Sequence, residues 1–250
     1  MTLVIVLGVG CSKDFLERPP ESDVIPEQYL KEESQLSAYA VELYTLLPTH
    51  ENWSFGTFGI DADTDNMADM TYDNKYVPGQ YRVPQGGGVW DFANIYRCNY
   101  FLENVVPDYE NGEIVGSDAG IKHAIGEVYF FRAWEYFYKL REMGDTPIIT
   151  TTLPDDSEVL TAASERAPRS EVARFIIADL DKAIDLMMAA SPDGRNNRLS
   201  RASAYLLKSR VALFEGTWLK YFKNTAFVPN GPDWPGAEKS YNQGYSFPSG

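Results

Sequence analysis

The sequence predicts a mainly all-α chain built of antiparallel helix pairs and interrupted by long, irregular, aromatic-rich loops. Three observations predict it. Apolar residues recur at three- and four-residue spacing in five stretches. Short links bearing Gly, Pro and Ser separate successive stretches, which makes neighbours antiparallel. Residues 50–85 hold neither a 3.6 nor a 2 period, yet carry Trp53, Phe55, Phe58, Tyr72, Tyr76 and Tyr81 among many Asp and Asn. Loops of that length are usually functional or disordered, and the aromatic content favours function.

In order, residues 1–12 form a short apolar run ending in small residues before Cys11, like the lipobox of a bacterial lipoprotein signal. Gly8 stands where that pattern has Leu, and no Lys or Arg precedes the run, so the true start is expected upstream. The competing reading is a buried strand over Leu3 to Val9 with Cys11 an ordinary residue. Residues 12–25 are polar and proline-bearing, an extended tether. A first helix is expected from residue 32 or 33 to 47, with Leu36, Tyr39, Ala40, Leu43 and Tyr44 on its stripe and Pro48 ending it.

After Gly86-Gly87-Gly88 a second helix is expected over 90–106, ended by Pro107, with Cys98 toward the core. The helix from Asp118 to Met143 has both ends marked. Ser117 or Asp118 caps its start, Lys139 and Arg141 lie near its end, Gly144 suits C′, and Pro147 forbids continuation. Its apolar residues leave almost no polar side, the mark of a buried helix, while Arg132 and Glu135 then need partners on neighbouring helices. Glu127, Arg132, Glu135, Lys139 and Arg141 argue against a membrane span. Residues 148–168 read as a loop. Two more helices follow, at 170–190 capped by Ser170 and at 200–215 capped by Ser200. Beyond Gly216, Trp218 to Lys223 trail into a run from Pro229 to Gly236, and the stretch from Tyr241 to Gly250 has neither helix-closing nor strand logic.

The formal net charge of −14 argues against nucleic acid and against adsorption on anionic lipid, and weighs weakly against polyanionic ligands. Two cysteines give no disulfide framework. Asp61, Asp63 and Asp65 copy the first positions of a calcium loop, but Asn66 replaces the sixth-position Gly and Tyr72 the twelfth-position Glu, so no metal is assigned. His50 and His123 lack a nucleophile motif, and phosphate loops and zinc spacings are missing, so no catalytic residue or cofactor is assigned.

Five landmarks in order resemble the SusD/RagB family of outer-membrane nutrient-binding lipoproteins: residues 11–20, 96–104, 126–147, 168–184 and 199–213. The resemblance implies tetratricopeptide-like helix pairs. It also implies a lipid anchor at Cys11 on the outer surface of the outer membrane, and a SusC-type TonB-dependent transporter as partner. The ligand would be an oligosaccharide or, in some members, a peptide, captured without catalysis. Family members are usually about twice this length, so the chain reads as an N-terminal half. Its parts are a signal-like segment (1–11), a tether (12–25), a helical domain (26–225) and the start of a loop-rich second part (226–250). Sugars present an apolar C–H face and a rim of hydroxyls. Trp53, Tyr72, Tyr76 and Tyr81 are the stacking candidates, and Asp65, Asn66, Asn74 and Arg82 the hydroxyl-binding ones. A scaffold that binds only a protein partner, and a glycosidase using the loop carboxylates, are the rival functions.

Overall fold

The structure, a computed structural model, describes residues 29–50, 67, 77–80 and 88–246. Six α-helices are present among them: α1 (Glu33–Glu42), α2 (Ala93–Glu110), α3 (Asp118–Met143), α4 (Ser157–Ala162), α5 (Arg169–Leu186) and α6 (Arg201–Tyr221). A 3₁₀ turn, Leu43–Leu46, continues α1. Those residues contain no strand; isolated bridges join Glu32 to Val115 and Thr146 to Ala167.

Helix α3 is the post of the bundle, and its expected bounds hold. The Ser117 side chain accepts from Gly120 N–H, and Gly144 takes a φ of 73°, where a Cβ would be strained. It packs most extensively on α5 and also meets α2, α1 and α6. Val128, Phe131, Ala133, Tyr136 and Leu140 are fully enclosed, and the valine, phenylalanine and leucine each contribute about 1.5–3 kcal/mol by leaving water. Cys98 on α2 is a free core thiol, which burial pushes up to about 12. No helix among the described residues is long and apolar enough to cross a membrane.

The charges in this core have partners. Arg132 donates to both oxygens of Asp179 on α5 at 2.7 and 2.8 Å and to Asn99 Oδ1 on α2 at 2.9 Å. Glu135 accepts from Asn94 Nδ2 at 3.3 Å. Glu127 accepts from Tyr44 Oη and Arg198 and faces His123 Nε2 at 3.2 Å. His123 Nδ1 in turn accepts from Met188 N–H, so this histidine ties α3 to the end of α5.

Four helices depart from the sequence reading. Helix α2 begins at Ala93 and runs past Pro107 to Glu110, because Pro107 lies in the last turn and its own carbonyl still accepts from Asn111 N–H. Helix α4 occupies part of the expected loop, started by Asp156, whose carboxylate accepts from Glu158 and Val159 N–H. Helix α5 starts one residue early from Pro168, leaving Ser170 buried inside it, and stops at Leu186 because Met187 turns extended. Helix α6 keeps its Ser200 cap but continues through Gly216 to Tyr221, since one glycine costs a helix only about 1 kcal/mol.

At Gly126 the helices come close. A Cβ there would lie 2.7 Å from Met187 Cγ and 3.2 Å from Met187 N, inside ordinary contact. Gly126→Val is therefore expected to destabilise by about 1–3 kcal/mol in urea unfolding, more than any gain in helix propensity returns. A variant as stable as the parent would show that the contact is slack.

Candidate functional site

The residues singled out from sequence, Trp53, Asp65, Asn66, Tyr72, Asn74, Tyr76, Tyr81 and Arg82, lie outside the described residues, as do Cys11 and the Asp61 and Asp63 carboxylates. The described residues do define the body from which that segment departs. Lys139 of α3 is 2% exposed, and its amine donates to the carbonyls of Val89, at 3.0 Å, and Asp91. Burial lowers its pKa, and the ring of Phe92 lies 4.3 Å from the nitrogen. A buried cation thus fixes the backbone immediately after the segment.

The same end of the bundle gathers the starts of α2 and α5 and the ends of α3 and α6. Two hollows open there. The first, about 630 Å³, is walled by Trp90, Phe92, Tyr96, Arg97, Ile149 and Leu160 among others. Trp90 and Tyr96 are 44% and 48% exposed, large for aromatic side chains. Its floor is fixed by side chains from two helices. Tyr136 Oη donates to the Ile149 carbonyl and accepts from Ile149 N–H, Asn99 Nδ2 donates to the Ile149 and Thr151 carbonyls, and Glu103 accepts from both N–H and Oγ1 of Thr152.

The second hollow, about 600 Å³, lies where Gly144 ends α3, against Trp218, Phe227, Trp234 and Tyr241. Arg166 lines it while its guanidinium stacks 4.9 Å from the Trp90 ring of the first hollow, and Ser164 lines both. Asp145 joins three segments here, accepting from Arg169 N–H at 2.9 Å and Trp234 Nε1 at 2.8 Å. Burial raises its pKa, against the pull of those donors and of Arg166 and Arg169. Arg169 is held by both oxygens of Glu215 and lies 4.1 Å over Trp218.

Aromatic rings, guanidinium edges and backbone groups of this kind suit a ligand with an apolar face and a hydroxyl rim. No group of three His, Cys, Asp or Glu side chains among the described residues is placed to hold a metal ion. The sequence reading missed both hollows, because their walls come from residues 90–97, 141–169 and 218–242, which meet only when the helices stack. The one local signal was Trp218 followed by Trp234 within the Pro- and Gly-bearing run from Pro229 to Gly236.

Comparison with known proteins agrees with this architecture. A SusD-like family model, described as starch-binding associating with outer membrane, matches residues 14–213. The SusD-like proteins P25 and P2 of Formosa agariphila are 24% and 28% identical, over 86% and 92% of this chain but 42% and 46% of their own lengths. The chain therefore spans less than half of these curated relatives. A solved SusD-like protein from Bacteroides fragilis matches 82% of the chain and 39% of its own at a TM-score of 0.53 and 20% identity. A SusD homolog from Bacteroides thetaiotaomicron gives 0.50 and 16%, over 83% of this chain and 39% of its own. These solved neighbours share the fold.

Proposed function

The chain belongs to the SusD-like family, and from that premise we propose that it is a cell-surface glycan-binding lipoprotein that passes captured oligosaccharide to a SusC-type TonB-dependent transporter and performs no catalysis. Cys11 carries the lipid in this reading. The observation that carries the proposal is the aromatic and arginine-lined bundle end, with Trp90 and Tyr96 exposed beside the Lys139 clamp, adjoining the segment that holds Trp53, Tyr72, Tyr76 and Tyr81. Rings stack on sugar faces, while Asp65, Asn66, Asn74 and Arg82 bond hydroxyls. A peptide ligand, as in some family members, would use the same rings.

One observation favours a second reading. Leu206 and Leu213 on α6 are 74% and 68% exposed, with Tyr205 beside them, a face suited to a protein contact; a helical scaffold without glycan affinity would need no more than that.

Titration of a panel of oligosaccharides and peptides into the purified protein decides between them. Saturable glycan binding is expected, weakened about three- to tenfold by Trp53→Ala or Tyr81→Ala, with no sugar released from the bound glycan. Silence across the whole panel rejects glycan capture and leaves the scaffold.

A further inference from the structure

The second hollow differs from its surroundings in charge. The chain as a whole is strongly acidic, with a formal charge of −14, but the hollow is lined by Arg141, Arg166, Arg169 and Lys239 against Glu142 and Asp145. Two of these six are already committed. Arg169 is neutralised by Glu215, and both oxygens of Asp145 are occupied by the Arg169 backbone and Trp234. Arg141, Arg166 and Lys239 enter no ion pair and no hydrogen bond with other described side chains. With Arg169 paired to Glu215, three cations without an ion pair face the two carboxylates Glu142 and Asp145, and the balance of the lining is positive.

Two of these cations are held in place without using their donors. The Arg166 guanidinium lies 4.9 Å from the Trp90 ring, and that of Arg141 lies 5.2 Å from Phe137 and 5.7 Å from Tyr138. A guanidinium placed over a ring without a hydrogen-bonding partner keeps its N–H groups available, and a planar fork of donors matches carboxylate or sulfate oxygens. Phe227, 61% exposed, and Tyr241, 40% exposed, supply apolar surface beside them. The volume of about 600 Å³ falls in the range of small-molecule sites.

We propose that this hollow binds an acidic saccharide unit, with Arg141, Arg166 and Lys239 holding its carboxylate or sulfate while its ring lies against Phe227 and Tyr241. The assignment rests on the glycan-binding reading above and narrows it to a charged substrate class, against the weak expectation from net charge. Global charge governs approach from a distance, and at physiological salt it is screened beyond about 8 Å. Inside the hollow the local donors decide.

Three probes titrated into the protein separate the outcomes: an oligogalacturonide hexamer, a sulfated carrageenan hexamer and neutral maltohexaose. At least one of the acidic pair is expected to bind more tightly than the neutral sugar, to weaken as salt rises, and to quench tryptophan fluorescence from Trp218 or Trp234. Arg141→Gln combined with Arg166→Gln is expected to weaken that binding about tenfold. Arg210→Gln, the same kind of charge removed on the exposed face of α6, is expected to leave it unchanged. Which acidic probe responds distinguishes carboxylate from sulfate. Equal affinity for maltohexaose, no binding of either acidic probe, or indifference to the double substitution overturns the inference while leaving glycan capture intact. If a wider panel of neutral glycans also fails to bind, the underlying reading falls with it.

Discussion

Replacing Asp179 with Ala is expected to cost about 3–5 kcal/mol. Arg132 and Asp179 are 4% and 1% exposed, and Asp179 accepts from both Nε and Nη2 of the arginine. Once the carboxylate is gone, the guanidinium keeps only Asn99 and the rings of Tyr129 and Phe175, 5.3 and 5.2 Å from its centre. An uncompensated charge in that position must drag in water or open the α3–α5 seam. Urea unfolding monitored by circular dichroism measures the loss. Arg132→Met with Asp179→Leu is expected to be milder than Asp179→Ala alone, because a buried pair replaced whole leaves no stranded charge. A double variant as damaged as the sum of its singles would show that the two residues do not act as a unit.

Glu127→Gln is expected to destabilise by about 2–3 kcal/mol at neutral pH, and the gap from the parent should close in acid. Burial pushes the Glu127 carboxyl up, but His123, Arg198 and Tyr44 together hold it below the usual value of 4.5. A carboxylate with a depressed folded pKa contributes stability that is fully present above its unfolded value and disappears as pH falls through the folded one. The parent should therefore lose stability on acidification below about 4.5, over the window in which the glutamine variant stays comparatively flat. Parallel pH–stability curves for the two proteins would remove Glu127 from the acid response.

Helix α3 was legible because its signals are local. Ser117, Gly144 and Pro147 sit within a turn of the ends they mark, and a helix apolar on every side has one place to go. The need of Arg132 and Glu135 for partners was legible too, though which residues would answer was not, since Asp179 and Asn99 lie 47 and 33 positions away. The α2 and α6 ends were misread for a shared reason. Pro107 and Gly216 are statistical stop signals, and packing overrode both. Ser170 looked like a cap but is a core-facing hydroxyl against Tyr245. The chosen ligand residues lie outside the described residues, whereas one hollow is walled by segments from Trp90 to Ser164 and the other by segments from Arg141 to Asn242, which no local pattern joins.

The sunken amine of Lys139 has a consequence for how such a protein can change. By gripping the carbonyls of Val89 and Asp91 from inside the bundle, it gives the chain a fixed landing point after residues 51–87, whatever those residues are. The entropy of closing a loop grows only with the logarithm of its length, so doubling such an insert costs about 0.6 kcal/mol. A connection that ends on so firm an anchor can be lengthened, shortened or rewritten at little cost to the helices it joins.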